Sequence, residues 1–304
     1  MTSSEHPRAI SAVIPAFNAA GRIGAAIESV RSQTVPVREV IVVDDGSEDD
    51  TGRVAAQYPG VQVIRRDNGG PGAARNTGIR HSTGDWVALL DADDSWLPGR
   101  IEAQLPLLAD PSVGLVHARR TLYRGHPAPP EVTVDHLVRR NCIIASSTLI
   151  RRTCVDAVGG FDESRELIGV EDYNLWIRIA AAGWRIATCP QWLVRYTQTA
   201  ASLSRDRRRI LEAELFNLRR LTELGHLSPV TTERKITAVL ESYGEEFLYR
   251  RDLGAARRCY RQLMGREPGF HNAIRLAASW LPRPLLDLRR RAFGPAPVNG
   301  SAES

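Results

Sequence analysis

Four short polar clusters carry the residue types from which phosphate and sugar chemistry is built. Asp91 and Asp93 stand two apart after the apolar run 86–90, and because side chains alternate along a strand, both carboxylates can face one side and share one ligand complex. One or two carboxylates plus substrate phosphates is the usual arrangement for Mg2+ or Mn2+ in diphosphate chemistry. Asp44 and Asp45, followed by Gly46 and Ser47, form a turn in which a carboxylate can accept hydrogen bonds from a nucleobase or ribose. Gly69, Gly70, Pro71 and Gly72 lead into Ala73, Ala74, Arg75 and Asn76; the small residues allow close backbone approach, and Arg75 could reach a base or a phosphate. Glu171 and Asp172 open a helical pattern with apolar Leu175, Trp176, Ile179 and Ala182, where a carboxylate could act as a base or simply complement the helix dipole. Each cluster also has a plain structural account (polar turn, helix cap or surface ion pair), so no single one decides the chemistry.

The elements around these clusters alternate regularly. Apolar runs at 10–14, 40–43, 61–64 and 86–90 are separated by helical patterns at 23–30 and 72–79, with a further helix expected near Pro98, a βαβαβαβ order that implies a mostly parallel sheet. In open α/β sheets ligands bind beyond the carboxyl ends of the strands. The residues that follow the four runs are Pro15-Ala16-Phe17-Asn18, Asp44-Asp45-Gly46-Ser47, Asp67-Asn68-Gly69-Gly70 and Asp91-Ala92-Asp93-Asp94, so the polar clusters should converge on one edge. Residues 151–204 read as helix and loop capping that edge. Beyond 205 the pattern is helical, including 243–263, and 241–268 looks like half of a tetratricopeptide-type helix pair.

Composition narrows the classes. The chain has 304 residues, 40 basic against 35 acidic, and a formal charge of +5; Lys235 is its one lysine, which excludes most lysine-based chemistry. The arginine runs at 139–140, 151–152, 207–209 and 289–291 could meet phosphates, anionic lipid or nucleic acid, although solvated helix faces are the simpler account of each. Cys142, Cys154, Cys189 and Cys259 are scattered without CxxC spacing, which predicts neither a zinc site nor a disulfide framework and fits a cytoplasmic location. No apolar stretch reaches bilayer-spanning length. A dinucleotide glycine fingerprint, a P-loop and any nucleic-acid-binding motif are absent.

The segments 11–18, 42–47, 68–78 and 89–94, in that order and spacing, together with Gly159-Gly160-Phe161-Asp162-Glu163 and Glu171-Asp172-Tyr173-Asn174-Leu175-Trp176, resemble the inverting glycosyltransferase family 2. The resemblance covers residues 9 to about 204. It implies an α/β fold of the GT-A type, a mostly parallel nucleotide-binding sheet flanked by helices, with a helical C-terminal annex. The expected division is a glycosyltransferase domain at 1–204, with a nucleotide-sugar half at 9–110 and an acceptor half at 111–204, followed by helices at 205–304. By the same resemblance Pro15, Ala16, Asn18, Asp44, Asp45, Asn68, Gly72, Arg75, Asp91 and Ala92 line the nucleotide-sugar pocket. Asp93, with Asp91, would hold Mn2+ or Mg2+. Asp172 is the expected base and Glu171 the second choice. Thr199 stands where many members carry a histidine near the diphosphate.

The reaction so implied is direct displacement at the anomeric carbon of a nucleoside-diphosphate sugar, UDP being the family's commonest nucleotide, onto an acceptor hydroxyl or amine with inversion. The acceptor would be a glycan, a lipid-linked glycan or another glycoconjugate of the kind built into cell-surface polysaccharide. The stretch 276–291, with Trp280, Leu281, Leu285 and Leu286 among arginines, has the composition of a membrane-surface helix and is the candidate for peripheral membrane contact, but Pro282 and Pro284 interrupt it, which favours ordinary packing. Two other readings stay open. Leu90-Asp91-Ala92-Asp93-Asp94-Ser95 also looks like the nucleophile motif of haloacid-dehalogenase-type phosphatases, and a non-catalytic nucleotide-sugar-binding scaffold could use the C-terminal helices to hold partners.

Overall fold

The computed structural model of the chain describes residues 9–121, 128–197 and 205–281. Two compact units divide at Arg205 and Asp206.

The first unit is built on a nine-stranded sheet. Its strands are β1 (Ile10–Ala16), β2 (Glu39–Asp44), β3 (Val61–Arg65), β4 (Trp86–Leu89), β5 (Ser95–Trp96), β6 (Val113–Arg120), β7 (Glu131–Val132), β8 (Thr148–Arg151) and β9 (Arg185–Arg195). They lie in the order β3-β2-β1-β4-β8-β6-β9-β5, with β7 paired to β9. The helices are α1 (Ile23–Arg31), α2 (Thr51–Ala55), α3 (Pro71–His81), α4 (Arg100–Gln104), α5 (Val134–Arg139), α6 (Arg152–Ala157) and α7 (Glu171–Ala181). Parallel pairing runs through β3, β2, β1 and β4, the block that carries the polar turns; β8 then enters antiparallel beside β4 and β6, and β6 and β9 pair parallel again beyond it. Every residue of β1 and β4 is buried, which is why these strands read as unbroken apolar runs rather than alternating ones.

Helices cover both faces. Ile14, Ile23, Ile27, Val42, Trp86, Leu90 and Ile101 pack into one layer, and Ile41, Val43 and Ala74 into a smaller layer beneath α3. Gly78 lets α3 lie directly on β1: a Cβ there would overlap Cγ1 of Val13. Two local expectations shift. The helix expected at Pro98 starts at Arg100 instead, after Gly99 turns the chain with φ 78°, so the proline precedes the helix and does not lie in its first turn. Asp91 to Asp94 do not extend the strand. β4 ends at Leu89, and the Asp94 amide donates to the Asp91 carbonyl at 3.0 Å, so a turn rather than strand alternation brings these carboxylates together.

The second unit consists, among the described residues, of α8 (Arg207–Glu223), α9 (Pro229–Tyr249), α10 (Leu253–Arg266) and α11 (Phe270–Ala278). Side-chain oxygens of Asp206, Ser228 and Asp252 cap α8, α9 and α10, satisfying amides that have no partner inside the helix. The expected helical stretch 243–263 is in fact two helices, broken where Arg251 takes φ 64° and Asp252 starts the next cap. Leu218, Leu221, Ile236, Leu240, Tyr260 and Leu263 are buried in this unit.

Gly78→Ala should lower stability by about 1–3 kcal/mol, because the methyl has no room between α3 and β1. Urea unfolding followed by tryptophan fluorescence measures it, with Gly265→Ala, where nothing lies within 4 Å of the added carbon, as the comparison.

Candidate active site

The carboxyl ends of β1 and β2 are tied to each other and to the loop that follows β3. The Asn18 amide donates to Ser47 Oγ at 3.0 Å, and Asn18 Oδ1 accepts from the Glu48 amide at 2.9 Å. Asn18 holds φ 48° to do this, a conformation asparagine tolerates better than most residues. Asp45 accepts from the Gly69 and Gly70 amides, the latter at 2.8 Å, and faces the Arg66 guanidinium at 3.1 Å. Gly46 sits at φ 79°, where a Cβ would come within 2.9 Å of the Asn68 amide nitrogen. This knot explains Asp-Asp-Gly: Asp45 and Gly46 shape the loops. Asp44 is buried and accepts from the Ser47 amide at 2.9 Å and from Arg65 at 2.8 Å. Pro15 and Ala16 are buried at the end of β1, while Phe17 is half-exposed and Asn68 exposed at the rim.

Arg75, one turn into α3, is the centre of the site. Its Nη2 donates to Asp91 Oδ1 at 2.7 Å and its Nη1 to Glu171 Oε1 at 2.6 Å, and the guanidinium carbon lies 5.4 Å from the centre of the Phe161 ring. The side chain is 5% exposed. Burial alone would lower the pKa of this guanidinium, but Asp91 and Glu171 outweigh it and raise it above its ordinary value. Arg75 therefore neither reaches outward to a ligand nor makes a surface ion pair; it joins two carboxylates 80 residues apart in sequence (171 − 91). Gly72, one turn earlier, lets the helix pack against Glu171 and the Asp162 carbonyl, which a Cβ would meet at 3.5 and 3.2 Å.

Glu171 and Asp172 stand at the head of α7, and neither caps it in the usual way, since the residue before the helix is Val170. Glu171 Oε2 accepts from the Gly169 amide at 2.6 Å, so both of its oxygens are occupied. Asp172 accepts from the Tyr173 amide at 2.5 Å. Burial, then the neighbouring Glu171 charge, push the Asp172 carboxyl up to about 7, with Arg75 opposing. Tyr173 Oη donates to the Leu137 carbonyl at 2.8 Å, fixing α5 beside α7.

The acidic turn is anchored by residues that sequence reasoning overlooked. Ser146 Oγ accepts from the Asp91 amide at 3.1 Å and donates to Asp94 Oδ2 at 2.5 Å, and the Thr197 amide donates to Asp94 Oδ1 at 2.9 Å. Burial and then Asp91 raise the Asp94 carboxyl to about 8. Burial, then Asp91, also raise Asp93. Asn76 carries a second unforeseen network: its side chain donates to the Phe161 carbonyl and Glu163 and accepts from the Phe161 amide at 2.8–2.9 Å, holding the loop 159–163 on α3. A serine or an asparagine inside a helical or strand pattern gives no signal of such long-range contacts.

Among the described residues no group of three His, Cys, Asp or Glu side chains forms a ready-made metal cage. The turn nevertheless fits a hard divalent cation. Asp91 has one oxygen held by Arg75 and a side chain 34% exposed, and Asp93 is crowded by its neighbour's charge; a cation would relieve that repulsion, with diphosphate oxygens and water completing its shell. Ala92, between them, is nearly buried. Thr199, most of the segment 194–204, and much of the loop 123–133 lie outside the described residues.

A profile described as "Glycosyl transferase family 2" matches residues 11–150. The Escherichia coli protein named UDP-Glc:alpha-D-GlcNAc-diphosphoundecaprenol beta-1,3-glucosyltransferase WfaP is 30% identical over 183 residues, which cover 57% of this chain and 71% of that protein. The chain belongs to glycosyl transferase family 2. Its fold agrees with solved glycosyltransferases: S. aureus TarS 1-349, in complex with UDP-GlcNAc, superposes with a TM-score of 0.63 at 16% identity, covering 93% of this chain and 92% of that one. The mannosyltransferase PcManGT from Pyrobaculum calidifontis, solved with GDP-Man and Mn2+, gives 0.61 at 20% identity over 95% of this chain and 88% of that one. At such identities the likeness is one of fold. The protein is thus a transferase with the expected α/β architecture and C-terminal helices, and the phosphatase and scaffold readings are not favoured.

Replacing Arg75 by methionine should cost about 3–5 kcal/mol, because it strands a buried carboxylate at Glu171. Arg75→Met combined with Glu171→Gln should recover much of that loss. Urea midpoints of the two variants test this, and equal losses would mean that the ion pair is not what holds the site together.

Proposed function

We propose that this glycosyltransferase uses a nucleoside-diphosphate sugar, a UDP-sugar first among the candidates, and transfers the sugar with inversion to a hydroxyl of a lipid-linked glycan acceptor. The observation that carries the reading is the junction at Arg75. It brings Asp91, beside the acidic turn, within one guanidinium of Glu171, whose neighbour Asp172 has a carboxyl pushed up to about 7. A site for a charged leaving group and a base with a suitable pKa thus adjoin. The nucleotide preference and the acceptor class draw on what WfaP is named for and on the UDP-GlcNAc bound to TarS.

In this reading the edge formed by Pro15, Ala16, Asn18, Asp44 and Asn68 receives the nucleoside. Asp44 is already bonded on both oxygens, so a base or ribose would compete with the exposed Arg65 side chain for Asp44 Oδ2. Asp93 and the free oxygen of Asp91 would hold Mn2+ or Mg2+. The bound cation would supply charge stabilisation for the departing diphosphate. Asp172 accepts the acceptor's proton as the new glycosidic bond forms, a contribution of roughly a hundred- to ten-thousand-fold in rate. Glu171 does not serve as the base, because both its oxygens already accept hydrogen bonds; it sets the charge environment that raises Asp172.

Two outcomes are expected. Asp172→Asn should abolish transfer while leaving nucleotide affinity within about twofold, and in the wild type kcat should fall about tenfold per pH unit below about 7, as the base becomes protonated. Steady-state assays from pH 5.5 to 9, with calorimetric UDP titration of the variant, measure both; a variant that lost nucleotide binding and transfer together would remove Asp172 from the role of base. Asp93→Ala should cost the metal-dependent part of UDP binding. Titrations of UDP, dTDP, GDP and CDP with and without Mn2+ identify the donor nucleotide, and binding indifferent to both metal and substitution would remove Asp93 as a ligand.

A further inference from the structure

No described helix is long and apolar enough to cross a membrane, yet the second unit presents an apolar face to solvent. On α11 and the turn after it, Phe270 is 83% exposed, Ile274 50%, Trp280 60% and Leu281 42%. Ala273 and Ala277 are exposed between them. Positions 270, 273, 274, 277 and 281 are three to four residues apart, one stripe of a helix. The opposite side of the helix is committed inward: Asn272 and Ala278 are buried, and Arg275 reaches Glu241 at 3.2 Å and pairs with Glu245. The stripe is therefore the unpartnered side of a docked amphipathic helix.

Charge selects what could cover it. The guanidinium carbons of Arg257 and Arg261, on α10, lie 4.2 and 5.8 Å from the centre of the Trp280 ring. Neither arginine forms an ion pair among the described residues, whereas Arg266 and Arg275 are spent on Glu233, Glu241 and Glu245. From Asp252 to Leu281 five arginines stand against two acidic residues. Uncompensated arginines beside an exposed tryptophan and an aliphatic stripe are the composition that lies in the headgroup region of an anionic bilayer, with the rings and aliphatic groups at the acyl boundary and the guanidinium groups at the phosphates.

We infer that the Phe270–Ala278 helix, with Trp280, Leu281, Arg257 and Arg261, is a docking surface for anionic lipid. The sequence pointed to 276–291, of which 282–291 lie outside the described residues; the exposed face begins six residues before that stretch, at Phe270. The surface is tested without nucleotide or acceptor, so its outcome and that of the transferase assay are independent.

The complete chain is mixed with vesicles of phosphatidylcholine alone or with about 30% phosphatidylglycerol and sedimented. Binding is expected to the anionic vesicles only and to weaken with salt, since the arginine contribution is screened. The double variant Phe270→Asp, Ile274→Asp should bind at least about tenfold more weakly. Arg257→Gln with Arg261→Gln should also bind more weakly and lose salt sensitivity, while Val230→Asp, which alters an exposed apolar residue on α9, should bind as wild type. Circular dichroism melting establishes that the variants are folded. Wild type that ignores anionic vesicles, or a folded double variant that binds them equally well, overturns the assignment. So does a wild-type dimer in sedimentation velocity that the double variant dissociates, which would make a second copy of the chain the occupant.

Discussion

One buried guanidinium organises the catalytic unit. A cation at 5% exposure is costly unless opposite charge meets it with good geometry, and Arg75 meets two carboxylates, Asp91 from the first half of the unit and Glu171 from the second. The loop after β4, the start of α3 and the head of α7 must therefore be in register at once, and small residues at Gly72 and Gly78 let α3 come close enough to both the sheet and α7.

That constraint separates two kinds of acidic residue that look alike in sequence. Asp45, Asp94 and Glu171 are consumed by the architecture: backbone amides, Ser146, Arg66 and Arg75 occupy their oxygens. Burial with like-charged neighbours raises the carboxyls of Asp93, Asp94 and Asp172 alike, but of the three only Asp94 has both oxygens tied down, by Ser146 and the Thr197 amide. Perturbed carboxyls are where a cation or a transferred proton gains most. The proposed roles follow that division, and Glu171 moves from second-choice base to electrostatic neighbour of the base.

The second unit solves a different problem. Three of its four described helices bury Leu218, Ile236, Leu240, Tyr260 and Leu263 and are capped by Asp206, Ser228 and Asp252, but α11 keeps one apolar side uncovered. A helix so arranged has its inward side fixed by packing and its outward side free to meet another phase.

Much of the fold was legible because parallel core strands must be apolar throughout and the turns that follow them must be polar. The runs ending at Ile14, Val43, Ile64 and Leu90, and the glycines that open α3, placed the parallel strands and the polar turns that follow them from sequence alone, and the order of the motifs pointed to the family. What the sequence could not hold was pairing at a distance. Nothing in the spacing of Arg75 shows that it turns inward to Asp91 and Glu171, nor that Ser146 holds the acidic turn, nor that Asp91 and Asp93 are brought together by a turn and not by strand alternation. Hydrophobic periodicity is a local property of the chain, so it survives in the sequence; which carboxylate a buried cation meets depends on where the folded layers bring their edges, and only the tertiary structure decides that.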